Sequence, residues 1–237
     1  MGLHRATGML LGMVLIVGPG CQFDPLALKP IEIKAPQFNT VLRRQAREAI
    51  EVNQLDSAEA YYRRAVERDP TDWRAQRGLA RLLMRRGTVP QALEAQFALE
   101  KAWSIRRDHA ETPMIIDELA EALVHQDKHD RLAQLLVDAS QQYTTSYDFL
   151  RQGRFLAKIG DVDGAMVAYR KAARFKSGDA VAYLEMADLF EAIGDAEGAV
   201  ATLRLGYAAD PRNERVAQRL RGHGRIPGPT MAIYADH

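Results

Sequence analysis

Two short stretches of the sequence have residue types and spacings that metal sites use. His125 and His129 lie four residues apart in HQDKH, so on one helix face they could share a metal ion, but the glutamate of the zinc-peptidase motif is missing. GDVDG at 160–164 resembles the start of a calcium loop, yet the twelfth position from Asp161 is Ala172 instead of a bidentate glutamate. We therefore interpret both stretches as surface turns and expect no metal and no cofactor.

The remaining composition gives little support to catalysis or to nucleic-acid binding. Cys21 is the one cysteine in 237 residues, and there is no phosphate-binding glycine loop and no nucleophile elbow. The net charge is +1, so no overall field favours nucleic acid or anionic lipid. We expect a protein that is not an enzyme and does not bind nucleic acid.

Residues 1–21 follow the layout of an export signal. A basic head with Arg5 precedes the nine-residue apolar run MLLGMVLIV, which is shorter than a membrane span of about 20 residues. The ending Gly20–Cys21 resembles the lipobox of bacterial lipoproteins, although Gly18 stands where that motif has a branched apolar residue. We predict a lipoprotein-type signal peptide with Cys21 as the lipidation site; an uncleaved anchor and ordinary cleavage are the alternatives.

Prolines mark two extended segments. Residues 22–37 contain three prolines, which disfavour helix at and before their positions, and are predicted to form a tether. Residues 223–237 contain two more, followed by the β-prone TMAIY, and are predicted to form an extended tail that is either disordered or lies in a groove.

Between residues 38 and 222 the sequence repeats itself. GDVDGAMVAYRKAARF at 160–175 returns as GDAEGAVATLRLGYAA at 194–209. Apolar residues recur at helical spacing, and small residues alternate with large ones, as Ala58, Tyr62 and Ala65 do before Pro70. A fixed period of this length indicates helix pairs, each of which needs a neighbour to cover its apolar face.

These residues resemble the tetratricopeptide repeat (TPR), a helix–turn–helix unit of about 34 residues. The resemblance implies an all-α, right-handed α-solenoid of about five helix pairs plus a C-terminal capping helix. Ala92 and its equivalent Leu132 lie farther apart than one period, so we expect extra residues in the second pair. Bacterial TPR lipoproteins of this size include assembly factors for type IV pili and for other envelope machines.

The resemblance also implies a concave groove lined by the first helix of each pair. The groove positions hold Arg43, Arg47, Arg74, Arg77, Arg81 and Arg85 in the first two pairs, Asp117 and Glu121 in the third, and Glu185, Asp188 and Glu191 in the fifth. Residues 41–107 carry 14 basic and 9 acidic side chains, whereas residues 108–211 carry 10 and 18. We expect an acidic segment of a protein partner to relieve repulsion among the arginines in the N-terminal half.

The function that these features favour is a lipid-anchored scaffold that mediates protein–protein interactions in the bacterial cell envelope. We expect anchoring at the outer membrane, facing the periplasm; inner-membrane anchoring and secretion are the alternatives. A second hypothesis is an accessory subunit or regulator of an envelope polysaccharide or peptidoglycan enzyme, which lends the arginine groove to an acidic ligand. The family's clamp for acidic chaperone tails is not expected, because Met114 and Glu118 replace its cations.

Overall fold

The computed structural model describes residues 35–106 and 110–228. Within these ranges the protein forms eleven α-helices and no strand. Cys21, the predicted signal peptide, nearly all of the predicted tether and residues 229–237 of the predicted tail lie outside the described residues. The helices are α1 (Ala35–Glu51), α2 (Leu55–Arg68), α3 (Trp73–Arg86), α4 (Val89–Ile105), α5 (Thr112–Val124), α6 (His129–Tyr143), α7 (Ser146–Lys158), α8 (Val162–Phe175), α9 (Val181–Ala192), α10 (Ala196–Ala209) and α11 (Glu214–Gly222).

The helices are arranged as five antiparallel pairs followed by α11, which confirms the predicted all-α repeat architecture. Successive helices pack against each other, and the first helices of neighbouring pairs also touch. One apolar core runs from α1 to α9, and a second cluster joins α9 and α10 to α11 through Leu184, Leu203 and Leu220. The last helix therefore covers the apolar face that the fifth pair would otherwise expose.

Both stretches with metal-like spacing are turns between paired helices. His125 to Lys128 connect α5 to α6, so His125 and His129 do not lie on one helix. The carboxylate of Asp161 caps α8 by accepting the backbone N–H of Gly164, and Asp195 caps α10 in the same way. An aspartate at this position satisfies a backbone donor that the first helical turn leaves free.

Small residues allow the paired helices to approach closely. Ala187 of α9 and Ala199 of α10 have no exposed surface. Gly153 of α7 lies under the ring of Tyr169, where a Cβ atom would stand 2.4 Å from the Cε1 atom of the ring. Gly78 of α3 accommodates the ring of Tyr62 equally closely. The alternation in the sequence therefore has a packing role: the small residues leave space, and the large residues of the paired helix fill it.

The repeat is irregular in its second pair and at its start. Helix α4 has 17 residues, whereas α2, α8 and α10 have 14 each, and this extension accounts for part of the longer interval that follows Ala92. Helix α1 begins at Ala35, ahead of the predicted solenoid start at residue 38. Pro36 lies in the first turn, where the missing N–H has no helical partner to lose.

None of the described helices combines the length and the apolar content that a bilayer-spanning segment requires.

Candidate protein-binding surface

The first helices of the pairs, together with α11, form the surface that we call the A-helix face. It contains all the residues predicted to line the groove. Most of these charged residues form ion pairs with the A-helix face of a neighbouring repeat. Asp117 binds Arg151 at 2.5 Å, Glu121 binds Lys158 at 2.5 Å, and Glu185 binds Arg154 at 2.5 Å.

The fifth pair continues this pattern onto the capping helix. Asp188 pairs with Arg219 of α11, and Glu191 lies 2.7 Å from Arg219 and 2.8 Å from His223. Arg219, with a smaller contribution from His223, holds the pKa of Glu191 below its ordinary value. All five predicted acidic residues therefore have cationic partners within the chain, and they connect one repeat to the next.

Four of the six predicted arginines also contact carboxylates. Arg77 donates to Glu118 at 2.7 and 2.8 Å and lies 3.2 Å from Glu111, and its side chain is only 14% exposed. The hydrogen bonds that Arg77 donates to Glu118 are the main cause of its raised pKa. Arg43 pairs with Asp72 at 3.2 Å, where Asp72 also caps α3. These two arginines join elements of the fold and offer little to a partner.

Arg74 and Arg81 are held more loosely. Arg74 lies 3.9 Å from Glu111 and stacks 4.4 Å from the ring centre of Trp73. Arg81 lies 3.6 Å from Glu118, whose carboxylate already binds Arg77, and the side chain of Arg81 is 67% exposed. Exposed pairs of this kind contribute about 0–1 kcal/mol each, so both guanidinium groups remain available to an anion.

Arg47 and Arg85 differ from the other four arginines. In the part of the chain that the structure describes, neither forms an ion pair or a hydrogen bond, and both are exposed. They line one concavity of about 620 Å³ together with Arg81. The structure therefore brings three of the six predicted arginines to a single pocket, between α1, α3 and the acidic side chains of α5.

The interior of this N-terminal pocket is largely apolar. Ile50, Tyr62, Leu82, Met84 and Leu99 contribute to its lining. Burial raises the pKa of Tyr62, and the positive charges of Arg47, Arg81 and Arg43 oppose that increase. Acidic residues also line the pocket: Glu118 pairs with Arg77, Glu121 pairs with Lys158, and Glu51 lies at the end of α1. The pocket therefore combines an apolar floor with a mixed charged rim, in which Arg47 and Arg85 can bind carboxylates that flank an aliphatic or aromatic side chain.

Sequence reasoning missed the residues that neutralise the predicted groove. In the sequence, Glu118 stands out only as a departure from a cationic clamp, yet in the fold it lies between Arg77 and Arg81. Arg151 is not among the predicted groove residues, although its side chain is 2% exposed and it connects Asp117 of α5 to Asp148 of α7. Both stand at the sixth position of their repeats, so extending the groove positions by that one place would have found them.

Comparison with known proteins agrees with this architecture. A family model described as tetratricopeptide repeat matches residues 43–104. No curated protein matches the sequence.

Similar solved structures cover most of the chain. They include the MamA protein (18% identity, 82% of this chain and 100% of that one, TM-score 0.55) and a tetratricopeptide repeat protein from Parabacteroides merdae (14% identity, 79% and 72%, TM-score 0.56). PilF of Pseudomonas aeruginosa is a third (19% identity, 85% and 90%, TM-score 0.52). At these identities the likeness describes the fold alone. Residues 43–104 therefore match the tetratricopeptide repeat, and the described helices share their fold with solved tetratricopeptide repeat structures.

Proposed function

We propose that this protein is a non-enzymatic scaffold of the bacterial cell envelope, which binds a protein partner in the N-terminal pocket. Tetratricopeptide solenoids bind partners on extended surfaces that successive repeats build together. The observation that carries the proposal is the pair Arg47 and Arg85, which lack carboxylate partners among the described residues and border an apolar floor. Elsewhere on the A-helix face the predicted charges have partners from neighbouring repeats.

The partner is an acidic protein segment with at least one large apolar side chain. Two exposed guanidinium groups favour paired carboxylates, because arginine binds them through planar, two-point hydrogen bonds. The floor around Tyr62 and Met84 favours an apolar side chain over a hydrated sugar. The second hypothesis, a glycan-binding subunit of a wall enzyme, would use the charged rim alone, because the apolar floor offers a hydrated sugar no hydrogen bonds.

The envelope location rests on the sequence. The apolar run that ends in Gly20–Cys21 supports lipid attachment at Cys21, and the prolines of residues 22–37 support a spacer between the lipid and α1. Gln22 instead of aspartate after the cysteine supports the outer membrane over the inner membrane. The scaffold is thus proposed to face the periplasm from a lipid anchor.

Binding in the N-terminal pocket is tested by capture from crosslinked envelopes with matched variants. Arg47→Glu with Arg85→Glu should lose most of the partner captured by the wild-type chain, and capture should weaken with salt. Arg44→Glu with Arg215→Glu makes the same charge change at exposed sites outside the pocket and should retain the partner. Equal capture by both double variants would overturn the pocket assignment, and co-purified glycan in place of protein would support the second hypothesis.

The lipid anchor has its own test. Cells grown with labelled palmitate should label the wild-type chain, and Cys21→Ala should remove the label. Label that persists in this variant would contradict attachment at Cys21.

A further inference from the structure

A second groove lies on the opposite side of the helix pairs, between the second helices of the last two repeats. Helices α8 and α10 form its walls and α9 forms its floor, and it has a volume of about 540 Å³. Met166, Met186, Phe190 and Leu205 contribute apolar surface. Arg170 and Arg174 lie one turn apart on the wall formed by α8. We call it the α8–α10 groove.

The first two repeats contain the equivalent groove between α2 and α4. One constant shift along the chain carries Arg63 to Arg170, Leu79 to Met186 and Ala98 to Leu205. This α2–α4 groove is smaller, at about 380 Å³. The two grooves are therefore the same element of the repeat, built at two places with different side chains.

In the α2–α4 groove, an ion-pair bridge joins the two walls. Arg63 of α2 donates to both carboxylate oxygens of Glu94 on α4, at 2.5 and 2.9 Å, and to Glu59 of its own helix at 2.8 Å. The hydrogen bonds to Glu94, followed by the one to Glu59, raise the pKa of Arg63. The guanidinium group that borders this groove is thus already occupied by the chain itself.

The α8–α10 groove keeps the arginine and lacks both carboxylates. The same shift carries Glu59 to Met166 and Glu94 to Ala201, while Glu67 becomes Arg174. The described residues that line the groove include Arg170 and Arg174 and no acidic side chain. In the described ranges, neither arginine forms an ion pair or a hydrogen bond, and both are exposed. Two positive charges therefore border an open apolar groove without compensation from the chain.

We propose that the α8–α10 groove is a second docking site, which takes an acidic, apolar helical segment of a protein partner. Carboxylates on the segment replace the ones that Glu59 and Glu94 supply in the α2–α4 groove, and they bind Arg170 and Arg174 by charge-assisted hydrogen bonds. Acidic residues four apart on a helix match arginines four apart on α8. Apolar side chains of the segment enter between the two walls.

The depth of the apolar floor distinguishes this partner from a membrane surface. Met166 is 8% exposed and Met186 is 4% exposed, whereas Leu205 on the rim is 38% exposed. A narrow segment can reach recessed methionines, whose flexible side chains adapt to what they contact. A bilayer surface would instead require large apolar side chains that protrude beyond the arginines.

The test uses the full chain and a short fluorescein-labelled helical peptide that has a leucine face bordered by glutamates four residues apart. Fluorescence polarisation should show saturable binding that weakens with salt. Arg170→Ala with Arg174→Ala should weaken it about tenfold or more, as expected for the loss of two charge-assisted contacts. Ala201→Glu should also weaken it. This substitution places a carboxylate on α10 at the position that corresponds to Glu94, where it can bind Arg170 as Glu94 binds Arg63 in the other groove.

Three controls decide the interpretation. Arg44→Ala with Arg215→Ala removes the same charge elsewhere and should leave binding unchanged, and thermal unfolding followed by circular dichroism should show that every variant is folded. A peptide with glutamines in place of the glutamates should bind far less.

The proposal is overturned if binding is unaffected both by the arginine variant and by Ala201→Glu, or if the glutamine peptide binds as well as the acidic one. It is equally overturned if phosphatidylglycerol vesicles, and not the peptide, bind in an Arg170-dependent way.

Discussion

The α2–α4 and α8–α10 grooves show what a repeat fixes and what it leaves free. Beneath both grooves, the tyrosine and the helix-crossing alanine occupy corresponding places: Tyr62 and Ala92 in one, Tyr169 and Ala199 in the other. At the surface, Arg63 is bound by two glutamates, whereas beside Arg170 the corresponding positions hold Met166 and Ala201. The repeat therefore determines the backbone and the core, and a few surface substitutions decide whether a groove is closed by its own chain or left open.

The A-helix face shows the same contrast within one surface. Arg77 is held by Glu118 and Glu111, whereas Arg47 and Arg85 border the N-terminal pocket without a carboxylate partner among the described residues. Paired arginines connect repeats, and we propose that unpaired ones mark the surfaces that bind partners.

The largest effect is expected when a larger side chain replaces the helix-crossing alanine beneath each groove. Ala92→Leu and Ala199→Leu each add a large side chain at a helix crossing where the alanine is 2% or 0% exposed. Each should lower the free energy of unfolding by about 1–3 kcal/mol, because neither site has room for the added atoms. Chemical denaturation measures both. If one variant is destabilised and the other is not, the two sites do not share the packing that their register implies.

A smaller, pH-dependent difference is expected between the two tyrosines. Burial raises both pKa values; nearby Arg47 and Arg81 oppose the increase at Tyr62, whereas Glu185 adds to it at Tyr169. Because both folded-state values exceed the usual tyrosine pKa of about 10, their contribution to stability is present below that pH and is lost as pH rises through the folded-state values.

The two tyrosines can be separated with phenylalanine variants. Tyr169→Phe should remove more of the alkaline loss of stability than Tyr62→Phe, and absorbance titration of each variant should show Tyr62 ionising at the lower pH. The reverse order of ionisation would mean that the charges around one of the rings are misassigned.

The smallest effect is expected at the groove arginines themselves. Arg63→Ala removes the bridge to Glu94 and should lower the free energy of unfolding by about 0.5–1 kcal/mol, since the pair is partly exposed. Arg170→Ala removes no such bridge and should leave the melting temperature unchanged. Equal destabilisation by the two variants, measured by differential scanning calorimetry, would mean that Arg170 has a partner within the chain.

The fold followed from the sequence because its determinants are local and repeated. Ala58, Ala187 and Ala199 mark helix crossings, and Asp161 and Asp195 mark helix starts, at spacings that can be counted along the chain. The longer second pair was also predictable, since Ala92 and Leu132 lie too far apart. What the pattern did not show was where those extra residues go, which is partly into a longer α4.

The candidate sites were only partly predictable because ion pairing joins different repeats. The register placed Arg77 and Arg47 on one face alike, but only the folded arrangement shows that Glu118, from the next repeat, binds Arg77 and leaves Arg47 alone. The α8–α10 groove was missed for another reason. The tetratricopeptide resemblance predicts binding residues on the first helices of the pairs, and Arg170 lies on a second helix.

The most direct measurement of the distinction between paired and unpaired arginines is residue-resolved modification with phenylglyoxal, read by mass spectrometry. In the free protein, Arg47, Arg85, Arg170 and Arg174 should react faster than Arg63, Arg77 and Arg151. Adding the partner captured from envelopes should protect Arg47 and Arg85 while Arg44 continues to react. If the paired arginines react as fast as the unpaired ones, or if the partner protects Arg44 as strongly as Arg47, unpaired arginines do not mark the binding surfaces of this protein.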